Sequence, residues 1–320
     1  MRSLVRALVA LIVVLAAVRV PARAVTGPAE LRIGYQKDGS LLILKQQGLL
    51  AKRLAARGTT VRWIEFQAGP PLLEALNAGS IDFGATGDTP PIIAQAAGAN
   101  LVYVASVPNP GRGSAILVRA DAGITKLADL KGKRVAFTRG SSSHNVVVRA
   151  LAKAGLSYGD IQAINLQPAD AEAAFRNGDV DAWAVWDPFF ALGQRLPGAR
   201  VLTTAEGVAA SNGFFLASRD YATRYPDVIA TTVEELDRAS RWTERHQSDL
   251  AQVLANATGV DLAVEKVAAA RGNYGVHFIS DDVVREQQSI ADTFAKLGLI
   301  PHPIDVRSIV WTPKGVAVAR

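Results

Sequence analysis

Short apolar runs alternate along the chain with longer stretches in which apolar residues recur three and four apart. Glu30-Leu-Arg-Ile-Gly-Tyr35 predicts a short strand, followed by the polar loop Gln36-Lys-Asp-Gly-Ser40 and a helix over 41–57. Val61-Arg-Trp-Ile-Glu-Phe66 alternates as a strand, and Gly69-Pro-Pro71 opens a helix to Asn77, with proline where a first turn tolerates it. A strand over 81–85 ends in Gly87-Asp-Thr-Pro-Pro91, then a helix runs to Ala97 and a strand covers 101–106. Arg134-Val-Ala-Phe137 is a further strand and 145–154 a further helix. Residues 220–299 read as mostly helical, with starts at Pro226, Asp261 and Asp281, and Ile300-Pro-His-Pro303 ends that run. Asn256-Ala-Thr258 fits a glycosylation sequon but reads as chance at a helix end. Strands alternating with helices predict an α/β fold with largely parallel sheets.

The pattern contains a repeat. LLEALNAGSIDFGATGDTPP (72–91) and AEAAFRNGDVDAWAVWDPFF (171–190) align at a shift of 99, matching Gly79 with Gly178, Asp82 with Asp181, Ala85 with Ala184 and Asp88 with Asp187. Each copy is a helix, a Gly suited to a left-handed C-cap, a strand, and an Asp where the next helix starts. The period is too long for a solenoid, so two related α/β lobes facing each other are expected. Pro108-Asn-Pro-Gly-Arg-Gly113 has linker composition and Asn212-Gly213 reads as a turn, so the chain is expected to cross between lobes near 108–113 and 211–215. Ligands bind outside the carboxyl ends of parallel strands. Those ends carry Tyr35-Gln-Lys37, Gly87-Asp-Thr89, Gly140-Ser-Ser-Ser-His-Asn145 and Val185-Trp-Asp187.

Composition changes the picture in three places. At 320 residues and 49% hydrophobic, the chain has material for a full core and about two domains. The formal net charge of +6 includes Arg2, Arg6, Arg19 and Arg23; without them it is +2, too little for a nucleic-acid binder by bulk charge. Those arginines flank an apolar run, 7–18, which ends near Ala22-Arg23-Ala24, a small-x-small cleavage pattern. Twelve helical residues span only ~18 Å of the ~30 Å membrane core, so 1–24 is expected to be a signal peptide. There is no cysteine, which removes disulfides, thiolate metal sites and cysteine nucleophiles, and His144, His246, His277 and His302 lack metal-ligand spacing.

The serine stretch is the densest chemistry. A Gly and three hydroxyls where a strand turns into a helix put free N–H groups and a positive dipole end around one point, which suits an anion. No Gly-Lys-Ser/Thr follows, so it is not a nucleoside-triphosphate loop. The plain alternative is a serine N-cap.

These loops resemble those of the periplasmic aliphatic-sulfonate-binding proteins of ABC importers. The matching segments are IGYQK (33–37), EFQAGPPLLEALNAGSIDFGATGDTPP (65–91), AQAAGANLVYV (94–104), DLKGKRVAFTRGSSSHN (129–145), PADAEAAFRNGDVDAWAVWDP (168–188) and VRSIVWTP (306–313). The resemblance is weakest in the helical tail. It implies a class II, two-lobed periplasmic binding protein: signal peptide 1–24, lobe 1 from 25–112 plus 217–320, lobe 2 from 113–216. Each lobe would be a mostly parallel sheet flanked by helices, with two crossing strands as the hinge. It also implies a periplasmic, monomeric protein that closes on an organosulfonate and passes it to an inner-membrane permease, without cofactor, metal or nucleic acid.

A sulfonate stays ionised and accepts through three oxygens, so neutral donors suffice. The candidate contacts are Gln36, Gly87, Thr89, Ser142, Ser143, His144 and Asn145. His144 either donates to the ligand or faces the core. Trp186 either walls the alkyl part or is a core tryptophan. Asp187 is a candidate contact whose better reading is an N-cap before Pro188, and Asp88 reads likewise. Lys37 is placed at the rim, steering anions. The alternatives are the same fold binding taurine, a sulfate ester, nitrate or a pyrimidine precursor, or an enzyme using Ser143 and His144. There is no Gly-x-Ser-x-Gly elbow.

Overall fold

The computed structural model describes residues 27–272 and 274–312. The expected signal peptide lies outside the described residues. The chain runs β1 (Glu30–Tyr35), α1 (Gly39–Gln47), α2 (Leu49–Ala55), β2 (Thr60–Glu65), α3 (Gly69–Asn77), β3 (Phe83–Thr86), α4 (Thr89–Ala96) and β4 (Leu101–Asn109). It continues as β5 (Ser114–Arg119), β6 (Arg134–Phe137), α5 (Ser142–Lys153), β7 (Gln162–Asn165), α6 (Pro168–Asn177), β8 (Ala182–Trp186), α7 (Phe189–Gly193) and β9 (Ala199–Thr204). Then come β10 (Ser211–Ser218), α8 (Arg219–Arg224), α9 (Pro226–Arg245), α10 (Gln247–Thr258), α11 (Leu262–Ala270), β11 (His277–Phe278) and α12 (Asp281–Lys296).

Two sheets result, in the orders β11-β4-β10-β3-β1-β2 and β7-β6-β8-β5-β9. Both are mixed rather than mostly parallel. β1 is parallel to β2 and β3, and β6 to β7 and β8. β10 runs against β3 and β4, and β5 against β8 and β9, because these strands lead to or from the connections between sheets. The connections are 109–114 and 204–211. Ser211–Ser218 is a strand of the first sheet, so the second connection precedes the expected boundary at 216, and Asn212-Gly213 is strand rather than turn. The single helix expected over 41–57 is two helices, broken at Gly48, whose φ of 66° gives α1 a left-handed cap.

Each sheet buries apolar side chains on both faces. Leu31, Ile33 and Phe83 pack toward α1 and α9, while Leu72, Ile92 and Phe294 cover the other side of the first sheet. Val135 and Phe137 meet α5, and Trp183 and Phe175 fill the opposite face of the second sheet. Each such side chain contributes about 1.5–3 kcal/mol by leaving water.

The repeat is visible as a duplicated clamp. In lobe one, Arg32 donates its backbone N–H (2.8 Å) and Nε (2.9 Å) to Asp82 Oδ2, Nη2 to Asp82 Oδ1 (2.6 Å) and Nη1 to the Gly79 carbonyl (2.6 Å). In lobe two, Arg134 donates its N–H (2.8 Å) and Nε (3.2 Å) to Asp181 Oδ2, and Nη2 to Asp181 Oδ1 (2.8 Å) and the Gly178 carbonyl (2.9 Å). Arg134 thereby holds the Asp181 carboxyl below the usual carboxylate range. Both clamps tie the amino end of a first strand to the Gly and Asp of the repeated motif. That leaves the carboxyl ends of the same strands for other work.

Candidate functional site

Those carboxyl ends meet between the lobes around a cavity of about 220 Å³. At about 30 Å³ per water this is room for a small organic molecule. Its walls come from the loops after β1, β3, β6 and β8, and from α10, α11 and the segment after α11.

Helix α5 begins at Ser142, three residues before the expected 145, so two serines lie inside its first turn. The Ser142 and Ser143 N–H groups have no backbone partner among the described residues, whereas the His144 N–H bonds the Ser141 carbonyl (3.0 Å). Ser142 is partly exposed, and its hydroxyl has no hydrogen bond among the described residues. Ser141 also lines the cavity; its Oγ donates to the Thr138 carbonyl (2.7 Å), fixing the turn. Across the cleft stand Gly87 and Gln36, whose Nε2 donates to the Ala85 carbonyl (3.2 Å). Helix α4 offers fewer donors, because Pro90 and Pro91 occupy its first turn.

Of the nine residues expected at the site, Gln36, Gly87, Ser142, Trp186 and Asp187 line the cavity. Thr89, Ser143, His144 and Asn145 are not among the residues that line it, since successive helix positions turn by about 100°. Thr89 Oγ1 donates to Asp88 Oδ1 (2.8 Å). Ser143 Oγ meets Ser141 Oγ (2.8 Å), and since Ser141 donates to Thr138, Ser143 is the donor. His144 stacks on Phe137 (centroids 5.0 Å apart) and meets Phe294 edge-on (5.2 Å), and its Nδ1 accepts from the Gly140 N–H (3.2 Å). Burial, then Arg139, lowers its pKa to about 4, so it sits neutral in the core between lobes. Asn145 Nδ2 donates to Asp88 Oδ2 (2.8 Å), which joins lobe two to lobe one. Asp88 makes no capping bond to α4.

Pro188, one position after the expected cap, is the N-cap of α7, and Asp187 lines the cavity beside it. Oδ1 accepts from the Ala191 N–H (3.0 Å), as a cap would, and Arg271 Nη1 pairs with the same oxygen (3.3 Å) across the lobes. Arg271 also donates to Gln194 Oε1 (2.7 Å) and lies over the Phe190 ring (4.0 Å). Beside this clasp, Ala191 packs against Val264 and Ala268, so α7 and α11 close one side of the cleft. Burial raises the Asp187 pKa to about 6, against the pull of Arg271.

Residues absent from the sequence reading of the site also line the cavity: Ser141, Asp38, Glu265, Arg271 and Tyr274. Asp38 has no hydrogen-bonded side-chain partner among the described residues, and burial, then Asp187 and Glu265, raises its pKa to about 7. Glu265 is 1% exposed and accepts from Thr258 Oγ1 (2.8 Å); burial, with a smaller push from Asp187, raises its pKa. Lys37 stands at the exposed rim, its Nζ 4.0 Å from Glu65 Oε1.

Comparison with known proteins places this arrangement. The NMT1/THI5-like family model matches residues 55–248. A protein of Escherichia coli strain K12 named for binding aliphatic sulfonates is 41% identical over 290 residues, 90% of each chain. The alkanesulfonate-binding protein SsuA from Xanthomonas axonopodis pv. citri, solved bound to MOPS, superposes with a TM-score of 0.85 at 44% identity, covering 89% of this chain and 99% of that one. The periplasmic aliphatic sulphonate binding protein SsuA from Escherichia coli gives 0.82 at 40% identity, covering 92% and 96%.

Proposed function

This chain belongs to the NMT1/THI5-like family, and from that premise we propose that it is the substrate-binding component of an ABC importer. It captures an aliphatic sulfonate in the inter-lobe cavity and delivers it to a membrane permease for sulfur acquisition. It works in the periplasm as a monomer, after removal of a signal peptide near Ala24. The observation that carries this reading is the start of α5 facing the cavity, with the Ser142 hydroxyl and two N–H groups free for an anion. Closure occurs about the connections 109–114 and 204–211, with residues 113–210 moving as one lobe against the rest.

Binding without chemistry fits the side chains. A serine nucleophile needs a base within hydrogen-bond reach, and Ser143 and His144 hydrogen bond to Ser141 and Gly140 instead. The test is a thermal-shift panel of ethane-, octane- and benzenesulfonate, sulfate, nitrate and a thiamine pyrimidine. A ligand at ~100 times its dissociation constant adds ~2.7 kcal/mol of stability. A rise with alkanesulfonates alone is expected. A rise with only the pyrimidine or nitrate overturns the ligand assignment and keeps the fold.

A further inference from the structure

The cavity is shared unequally between the lobes. Lobe two supplies only 113–114, 141–142 and 186–188 to its lining. Lobe one supplies the rest, and several of its apolar lining residues are themselves buried: Leu41 and Ile43 of α1, Phe215 of β10, Leu250 and Leu254 of α10, and Ala269 of α11. A cavity walled by side chains that water hardly reaches is a slot inside lobe one, not a dent in the face of the cleft. Helix α5, with its free N–H groups, packs against α4, whereas α10 packs on α1 and α11, so the slot is built by other helices than those at the serine turn. Thr243 and Glu265 also line the cavity, but both are engaged: Thr243 Oγ1 donates to the Ser240 carbonyl (2.6 Å), and Glu265 accepts from Thr258 Oγ1 (2.8 Å). The family match over 55–248 includes Gly87, Ser141 and Ser142 at the anion end, while the helical walls of the slot, at Leu41, Ile43, Leu250, Leu254 and Ala269, fall outside it.

We infer that the ligand's alkyl chain runs from the start of α5 into this slot in lobe one, and that Leu250 and Leu254 set the longest chain admitted. The two leucines are four apart on α10 and so share one face of it. Each methylene that enters the slot leaves water for an apolar wall, a gain of about fourfold in affinity. A chain longer than the slot leaves its end outside or pushes α10 outward, so the gain stops there. This inference rests on the sulfonate reading above, which fixes the anionic end and leaves the length of the tail open.

The experiment is calorimetry on the protein purified from the periplasm, with the straight-chain series from ethane- to decanesulfonate. Wild-type affinity is expected to rise by about fourfold per methylene over the first members and then to level off. Leu254→Phe, which fills the slot, is expected to lower the ratio of octane- to ethanesulfonate affinity at least tenfold, the ratio cancelling any loss common to both. Leu250→Phe is expected to do the same and serves should Leu254→Phe not fold. Leu254→Ala lengthens the slot and is expected to move the levelling-off to a longer chain. Affinity that is flat or falls along the series in the wild-type protein overturns the slot and leaves the sulfonate reading standing. So does a ratio that both phenylalanine variants leave unchanged, because the chain then lies elsewhere. Failure of every member to bind overturns the sulfonate reading and this inference with it.

Discussion

Gly87 of lobe one and Ser142 of lobe two approach so closely that the position tests whether closure and binding are one event. A Cβ built on Gly87 collides with Ser142 Oγ and lies 3.0 Å from Ser142 Cβ. The hydroxyl can swing to another rotamer, but the Ser142 Cβ is fixed by α5, so Gly87→Ala forces a shift of a few tenths of an ångström between lobes. Overpacking of this kind costs about 1–3 kcal/mol. At 1.4 kcal/mol per tenfold, that weakens ligand binding by about 5- to 140-fold. The cost falls on the closed arrangement, so the melting temperature of ligand-free protein should change far less than the affinity. Calorimetry on Gly87→Ala, Ser142→Gly and the double mutant separates the causes. Loss through the Ser142 contact appears as a coupling of about 1 kcal/mol or more between the two sites. Wild-type affinity in Gly87→Ala means the lobes do not come this close around the ligand. Loss with no coupling means the new methyl touches the ligand itself.

Ser142→Ala removes a neutral donor to a charged group and is expected to weaken sulfonate binding by about tenfold or more, read by calorimetry with the fold checked by circular dichroism. Asn145→Ala leaves the buried Asp88 carboxylate short of a donor, and a loss of about 1–3 kcal/mol is expected in the stability of the liganded protein. Asp38 holds its proton to about pH 7 when folded and to 3.8 when unfolded, so ligand-free stability should fall as pH rises between those values. At about 1.36 kcal/mol per pH unit the fall is at most ~4 kcal/mol, and denaturant titrations of Asp38→Asn should show that slope removed. His144 acts in the opposite sense. Its stabilisation is present above the unfolded value of 6.5 and lost as pH falls toward about 4, so its ring resonances should not titrate between pH 7.5 and 5.5.

The alternation of strands and helices and the 99-residue repeat were legible because their signals are local: a Gly that caps a helix, an Asp after it, a short apolar run. The arginines that complete both clamps were not. Arg32 and Arg134 lie 50 and 47 positions from their aspartates, and nothing in the spacing pairs them. At the site, the loop containing Ser142 was legible, but the phase of α5 was not. Starting the helix at Ser142 turns Ser143, His144 and Asn145 away from the cavity lining. Glu265 and Arg271 belong to the helical tail, where amphipathic periodicity marks a buried face without saying what it is buried against. Asp38 reads as an ordinary loop residue until the far lobe brings Asp187 near it.

The two arginine clamps pin each sheet along the edge that faces away from the ligand. A plate stiffened at its back edge does not flex when something is gripped at its front edge; it tilts as a whole. In the proposed closure, the work done by a few contacts at the cleft is then delivered as torque about the two connecting segments. The outer faces of the lobes would travel furthest, so capture of a small molecule would change the outline of the whole protein, the signal that the proposed permease would read.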